Sequence, residues 1–175
     1  SRSTSTTLEE FGDRLDERLA ALGRVQGLLS TGQLPSIDLD ELILLELNAH
    51  GIDLGTDSFV SLSGPAVALP ADAVQLLALA LHELTTNALK HGALKSRGQL
   101  KIGWALRDED PGKRLLTLTW REHGVPMSDD APREGFGRHL IEVDLPYELD
   151  AETRFEFCPD GIFCSVEMIL PPVAA

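Results

Sequence analysis

Positive charge is scarce in this sequence: 15 lysines and arginines face 28 aspartates and glutamates, for a formal net charge of −13 over 175 residues. Such a surface repels nucleic-acid phosphates and gains nothing at an anionic bilayer, so neither nucleic acid nor membrane contact is expected. Cysteine is rarer still. Cys158 and Cys164 are the only two, on what read as neighbouring antiparallel strands, with no histidine or acid at metal-ligand spacing. Reduced thiols in a cytoplasmic protein are expected, neither a zinc site nor a disulfide. No apolar run approaches the ~18 residues that span a bilayer. The opening stretch, Ser1 to Thr7, is polar where a signal peptide would be apolar, and its Ser-Thr run reads as a linker within something larger. The chain also has no βαβ glycine fingerprint, no lysine-bearing Gly-rich phosphate loop and no H-E-x-x-H, which removes support for a dinucleotide fold, a P-loop and a zinc hydrolase.

What is present is the material of one full domain, 43% hydrophobic and 25% charged, enough to bury a substantial core. Its centre is an apolar run that begins near Ala71 and contains His82-Glu83-Leu84-Thr85-Thr86-Asn87-Ala88-Leu89-Lys90-His91-Gly92. On a helix, Glu83, Asn87, Lys90 and His91 follow i, i+4, i+7 and i+8 and share one side. Val74, Leu77, Leu81, Ala88 and Leu89 form the stripe that wants a core. Gly92 is expected to end the helix in the left-handed cap conformation.

Around this element, Leu8 to Leu29 reads as a helix capped by Thr7, with Phe11, Leu15, Leu19, Leu22 and Leu29 as its apolar stripe. Spacing by about four suits either a bundle partner or packing on its own domain. A second helix follows Asp38 to about His50, facing inward through Leu39, Leu42, Ile43 and Leu47. Phe59 to Leu69 suggests a strand or a hairpin around Gly64-Pro65. After a short connector at Leu94 to Gly98, Leu100, Ile102 and Trp104 alternate with polar or small residues, as do Leu116, Leu118 and Trp120. These predict a long hairpin with one buried face. An irregular stretch from Arg121 to Glu134 leads through Gly135-Phe136-Gly137 into a helix at Arg138 to Val143. A final hairpin turns at Pro159-Asp160-Gly161. The element order predicts an α+β fold, a two-layer sandwich with a mixed sheet covered on one face by helices.

Three groups of residues carry chemistry. An amide oxygen such as that of Asn87 is a hard ligand for Mg²⁺, which accepts few protein ligands when phosphates and waters supply the rest. Lys90 can meet a phosphate, and Glu83 can hold a metal-bound water or accept a proton. Glu122, leaving a strand towards Gly124 and Pro126, can accept hydrogen bonds from an exocyclic amine, although alone it reads equally well as a surface residue. Gly135 and Gly137 permit close backbone approach, and the helix N-terminus after them offers N–H groups to phosphate. His82 alone reads as a structural hydrogen bonder.

Together these residues resemble the ATP-binding catalytic domain of sensor histidine kinases of the HWE subfamily, within the GHKL ATPase superfamily. The resemblance runs from about Phe11 to Pro171. His82 to Leu94 looks like the family's N-box, and His82, Trp120 and Glu122 look like the three residues that name the subfamily. Leu62-Ser63-Gly64-Pro65 and Gly135 to Glu142 look like further family segments. The resemblance implies the Bergerat ATP-binding sandwich at residues 31–175, preceded at 1–30 by a linker and the end of a dimerisation-type helix. It also implies ATP and Mg²⁺ as cofactors. Asn87 would hold the metal, Glu83 would sit near the γ-phosphate, and Lys90, with His91 beside it, would contact phosphate. Glu122 would take the adenine amino group, with Gly124 and Pro126 passing close to the base. Gly135, Phe136, Gly137 and Leu140 would bound a short lid, Met127 to Glu134. Where the family has two glycines and a proline, this chain has Gly124-Val125-Pro126.

No histidine here has the family's phosphoacceptor setting. The implied activity is therefore transfer of the ATP γ-phosphoryl to a histidine elsewhere, with a dimerisation region, a sensory domain and a response regulator as partners; the sequence leaves open whether the intact form is a homodimer. Two other readings of the same fold stay open. One is a degenerate module without nucleotide, as in some histidine phosphotransferases, or a protein-interaction domain. The other is a serine kinase of the anti-sigma-factor type. The Glu83, Asn87 and Lys90 set argues against the first. The first helix and the Trp120 and Glu122 pair argue against the second.

Overall fold

The computed structural model describes residues 8–31, 36–110, 112–126 and 136–172. Helix α1 (Leu8–Thr31) is followed by β1 (Ser36–Asp38), α2 (Leu39–Ala49), β2 (Val60–Ser63), β3 (Ala68–Pro70) and α3 (Ala71–His91). A short α4 (Ala93–Ser96) leads to β4 (Gln99–Asp110) and β5 (Lys113–His123). Next come α5 (Phe136–His139), a π-helical turn (Leu140–Asp144), α6 (Leu145–Leu149), β6 (Glu152–Cys158) and β7 (Gly161–Leu170). The main sheet has five strands in the order β2-β4-β5-β7-β6, with β2 parallel to β4 and every other pair antiparallel. It is the mixed sheet of a Bergerat-type two-layer sandwich.

Strand alternation decides which face is covered. Leu100, Ile102 and Trp104 on β4, Leu116, Leu118 and Trp120 on β5, and Cys164, Val166, Met168 and Leu170 on β7 are all buried. Their intervening neighbours Lys101, Ala105 and Ile169 are exposed. Helices α2 and α3 supply the opposing layer through Leu39, Leu42, Ile43, Leu47, Val74, Leu77, Leu81 and Ala88, all buried. Each such leucine, isoleucine or valine contributes about 1.5–3 kcal/mol by leaving water. Phe155 lies opposite Cys164, so the two cysteines do not face one another and both are free. Burial pushes the Cys164 thiol up to about 12, which makes it inert at neutral pH.

Of the strand or hairpin expected around Gly64-Pro65, strands form on both sides but do not pair as a hairpin. Strand β2 instead runs parallel to β4, and β3 pairs with β1 in a separate two-stranded ribbon. The intervening segment crosses the sheet edge, where the Trp104 indole N–H donates to the Pro65 carbonyl at 2.6 Å. The helix after Gly137 also runs further than expected. Pro146 has no N–H and would crowd the carbonyl four residues back, and the preceding turn widens so that the Leu145 N–H reaches the Leu140 carbonyl. The connector at 94–98 is mostly the helical turn α4, closed by Arg97 in the left-handed region at φ 56°. Of the α1 stripe, Phe11, Leu15 and Leu19 are exposed, whereas Ala21 and Val25 are fully buried. The Thr7 cap and the segment 127–135 lie outside the described residues.

Gly92 closes α3 as expected, but with extended backbone (φ −115°, ψ −152°) in place of the left-handed cap. The glycine is needed for space. A Cβ there would lie 2.0 Å from Glu122 Oε2 and 2.8 Å from the Ala88 Cα. Gly92→Ala is therefore expected to destabilise the fold by about 1–3 kcal/mol through overpacking, read as a lower urea midpoint with unchanged slope.

Candidate active site

Period-two alternation on β5 places Trp120 and Glu122 on the same, inner face, at the end of the strand. Glu122 is only 1% exposed. The Trp120 indole N–H donates to its Oε1 at 3.0 Å, and the Ala93 backbone N–H donates to Oε2 at 2.7 Å. Burial raises the Glu122 carboxyl above its ordinary range, and the Trp120 and Ala93 hydrogen bonds and the Arg121 charge pull it back only in part. Its neighbours are pinned by the β6–β7 turn: Arg121 Nη2 donates to Asp160 Oδ1 at 2.7 Å, and His123 Nδ1 lies 3.2 Å from Asp160 Oδ2. The Arg121 bond comes first among the causes that hold the Asp160 carboxyl low, followed by that to His123. Gly124 follows at φ 71°, the Val125 N–H donates to the Asp160 carbonyl at 2.9 Å, and Pro126 is exposed.

Along α3, Glu83 and Asn87 are half-buried, and Lys90 and His91 are exposed at its C-terminal end. Burial comes first, and the charges of Lys95 and Lys90 second, in lowering the His91 imidazole pKa below its ordinary value. The Asn87 side chain has no hydrogen bond among the described residues. Glu83 is held by Arg18 on α1: Nε donates to Glu83 Oε1 at 2.7 Å, and Nη2 lies 2.7 Å from the same oxygen. Gly137 packs directly on the same glutamate, where an added Cβ would lie 2.9 Å from the Glu83 Cβ. Thus Glu83 and Gly137 meet at one end of the α3 polar face, and Glu122 stands at the other. Leu140 is buried behind Gly137. Phe136 opens α5, and Gly135 lies outside the described residues.

A second polar cluster, which the sequence did not lead one to expect, flanks α3 beside Glu83. Glu46, 1% exposed, accepts from Arg24 Nη2 at 2.9 Å and 3.2 Å, while His82 Nδ1 lies 3.7 Å away. Burial opposes ionisation of Glu46, but His82 and Arg24 outweigh it and hold the carboxyl below the usual range. A signal for it existed in the spacing. Leu39, Leu42, Ile43, Glu46 and Leu47 continue one inward stripe, so the acid occupies a core position of α2.

The profile described as HWE histidine kinase matches residues 1–66. A blue-light-activated histidine kinase of Rhizobium johnstonii is 30% identical over 159 residues, covering 90% of this chain and 44% of that protein. Over these stretches the chain is similar to HWE-type histidine kinases. A blue-light-activated histidine kinase of Brucella ovis is 28% identical over 165 residues, covering 94% of this chain and 33% of that kinase. The domain thus spans less than half the length of these curated relatives. Among solved structures, the histidine kinase domain of the Erythrobacter litoralis blue-light activated kinase superposes with a TM-score of 0.57 at 17% identity, covering 91% of this chain and 81% of that one. The mycobacterial sensor kinase MprB gives a TM-score of 0.50 at 18% identity, covering 79% and 98%. These two likenesses concern the fold. No helix among the described residues is long and apolar enough to cross a membrane.

Proposed function

We propose that this domain binds Mg-ATP along the polar face of α3 and transfers the γ-phosphoryl to a histidine on another segment of a cytoplasmic two-component kinase. The observation that carries the reading is the line of groups on α3. From Glu83, beside Gly137, to His91 at the end of α3 is eight residues, about 12 Å of helical rise, and Ala93, bonded to Glu122, follows just past Gly92, a span that an extended nucleoside triphosphate bridges.

The residues fit the roles chemically. Asn87 offers a hard amide oxygen that no described neighbour occupies, the kind of single protein ligand that Mg²⁺ takes beside phosphate and water. Bound there, the ion would neutralise phosphate charge, which matters on a chain of net charge −13. Lys90 meets phosphate as a point charge. Glu83 is placed to orient the reacting group or accept its proton once Arg18 releases it. Each Glu122 oxygen already accepts one hydrogen bond and keeps a lone pair for the purine amine. The acceptor histidine, a sensory domain, a response regulator and a homodimeric assembly complete the proposal.

A module without nucleotide is the second reading, and two observations favour it. Glu122 is covered at 1% exposure, and Glu83 is engaged by Arg18. Calorimetric titration with ATP, with and without Mg²⁺, separates the two. The kinase reading expects binding below millimolar that tightens with the ion. No heat at millimolar Mg-ATP leaves the module.

A further inference from the structure

We propose that Glu46, His50 and His82 form a binding site for a first-row transition-metal ion of the Zn²⁺ type, distinct from the nucleotide face and independent of the kinase reading. One donor atom from each of the three lies within 4.8 Å of the other two. Glu46 and His50 are one turn apart at the end of α2, and His82 faces them from α3. The two imidazole rings are 5.1 Å apart, centroid to centroid, and inclined at 45°.

The second observation is His82 itself. The residue is 4% exposed, and its Nδ1 is buried with no hydrogen-bond partner. Its nearest oxygen, Glu46 Oε2, stands at 3.7 Å, beyond hydrogen-bond reach. A buried ring nitrogen with no hydrogen-bond partner, 3.7 Å from a carboxylate oxygen, is a donor suited to a shared metal ion. His50 supplies the arrangement that ligating histidines use. Its Nδ1 lies 2.8 Å from the Glu46 backbone carbonyl, and as a donor there it fixes the tautomer that leaves a lone pair on Nε2. That Nε2 is 3.5 Å from Thr86 Oγ1.

Two imidazoles and a carboxylate favour Zn²⁺, Co²⁺ or Ni²⁺ over Mg²⁺, which separates this site from the Asn87 oxygen. Zinc bonds of about 2.0–2.2 Å require the donors to close in by about an ångström, within the reach of side-chain rotation. Arg24 already holds Glu46 from α1. A carboxylate has about four lone-pair sites, so Arg24 stays as the outer partner orienting Glu46 while Oε2 turns to the metal. The bound ion would clamp α2 to α3, with α1 attached through Arg24.

The test uses the chain freed of metal by chelation. Titration with Co²⁺ should give one equivalent at micromolar affinity with visible d–d absorption, and Zn²⁺ should displace it. Zn²⁺ at a hundredfold excess over its Kd should raise Tm by about 5 °C. His50→Ala and His82→Gln should each lose the band, while His123→Ala and His139→Ala keep it. His50 is only half-buried, so His50→Ala keeps the test decisive if His82→Gln fails to fold. No Co²⁺ band and no thermal shift at millimolar metal would overturn the proposal. So would a band that survives His50→Ala.

Discussion

Asn87→Ala is expected to abolish the magnesium-dependent part of ATP affinity while leaving the fold intact. The side chain is half-buried and makes no hydrogen bond among the described residues, so truncation orphans no partner. Alanine is also the better helix former, by up to about 0.7 kcal/mol. What is lost is the only amide oxygen on the α3 polar face. If that oxygen holds the ion that bridges protein to phosphate, Kd for Mg-ATP should weaken by about 100-fold or more, equivalent to about 2.7 kcal/mol. Calorimetry with and without Mg²⁺ reads it directly, with the far-ultraviolet circular dichroism and Tm unchanged. Equal affinity in the variant would move the nucleotide off this helix.

The second large effect belongs to Glu122→Gln. In the native protein two donors, the Trp120 indole N–H and the Ala93 backbone N–H, point at two carboxylate oxygens. A glutamine has one acceptor oxygen, so whichever way the amide turns, its NH₂ meets another donor. The orphaned group costs about 1–3 kcal/mol. Removing a buried charge works in the opposite direction, and the pH profile separates the two. The folded-state pKa of Glu122 is raised, chiefly by burial. Between its unfolded and folded pKa values the native state therefore binds more protons, and wild-type stability falls as pH rises through that window. The variant lacks this slope. Its deficit in urea unfolding should be largest near about pH 4 and should shrink towards about pH 7. For nucleotide the effect has one sign only. The amide presents a donor to the donor on adenine, so affinity should drop by roughly 10–100-fold, with loss of preference for adenine over guanine. A variant that binds ATP like the wild type would remove Glu122 from the purine site.

The sheet and the central helix were legible because their signals are local. The β4–β5 and β6–β7 hairpins follow from alternation and turn residues, and α3 from a 3.6-residue stripe flanked by Pro70 and Gly92. What was illegible depended on partners remote in sequence. The parallel pairing of β2 with β4 has no local signature, so Gly64-Pro65 read as a turn. The conformation of Gly92 was misjudged because the constraint comes from Glu122, thirty residues on. At the site, the polar face of α3 could be read from spacing, whereas the Arg18 contact to Glu83 could not, since a surface arginine on an amphipathic helix gives no hint of its target. Glu46 was the avoidable omission, an acid placed in an otherwise apolar stripe.

The bond between Trp120 and Glu122 also has an optical consequence. The domain contains two tryptophans. Trp104 donates its N–H to a neutral backbone carbonyl, whereas Trp120 donates to the carboxylate assigned to the base. Any occupant that repolarises that carboxylate alters the field along one indole and spares the other. Intrinsic fluorescence, with Trp104→Phe to clear the background, therefore gauges occupancy beside Glu122 without an attached dye.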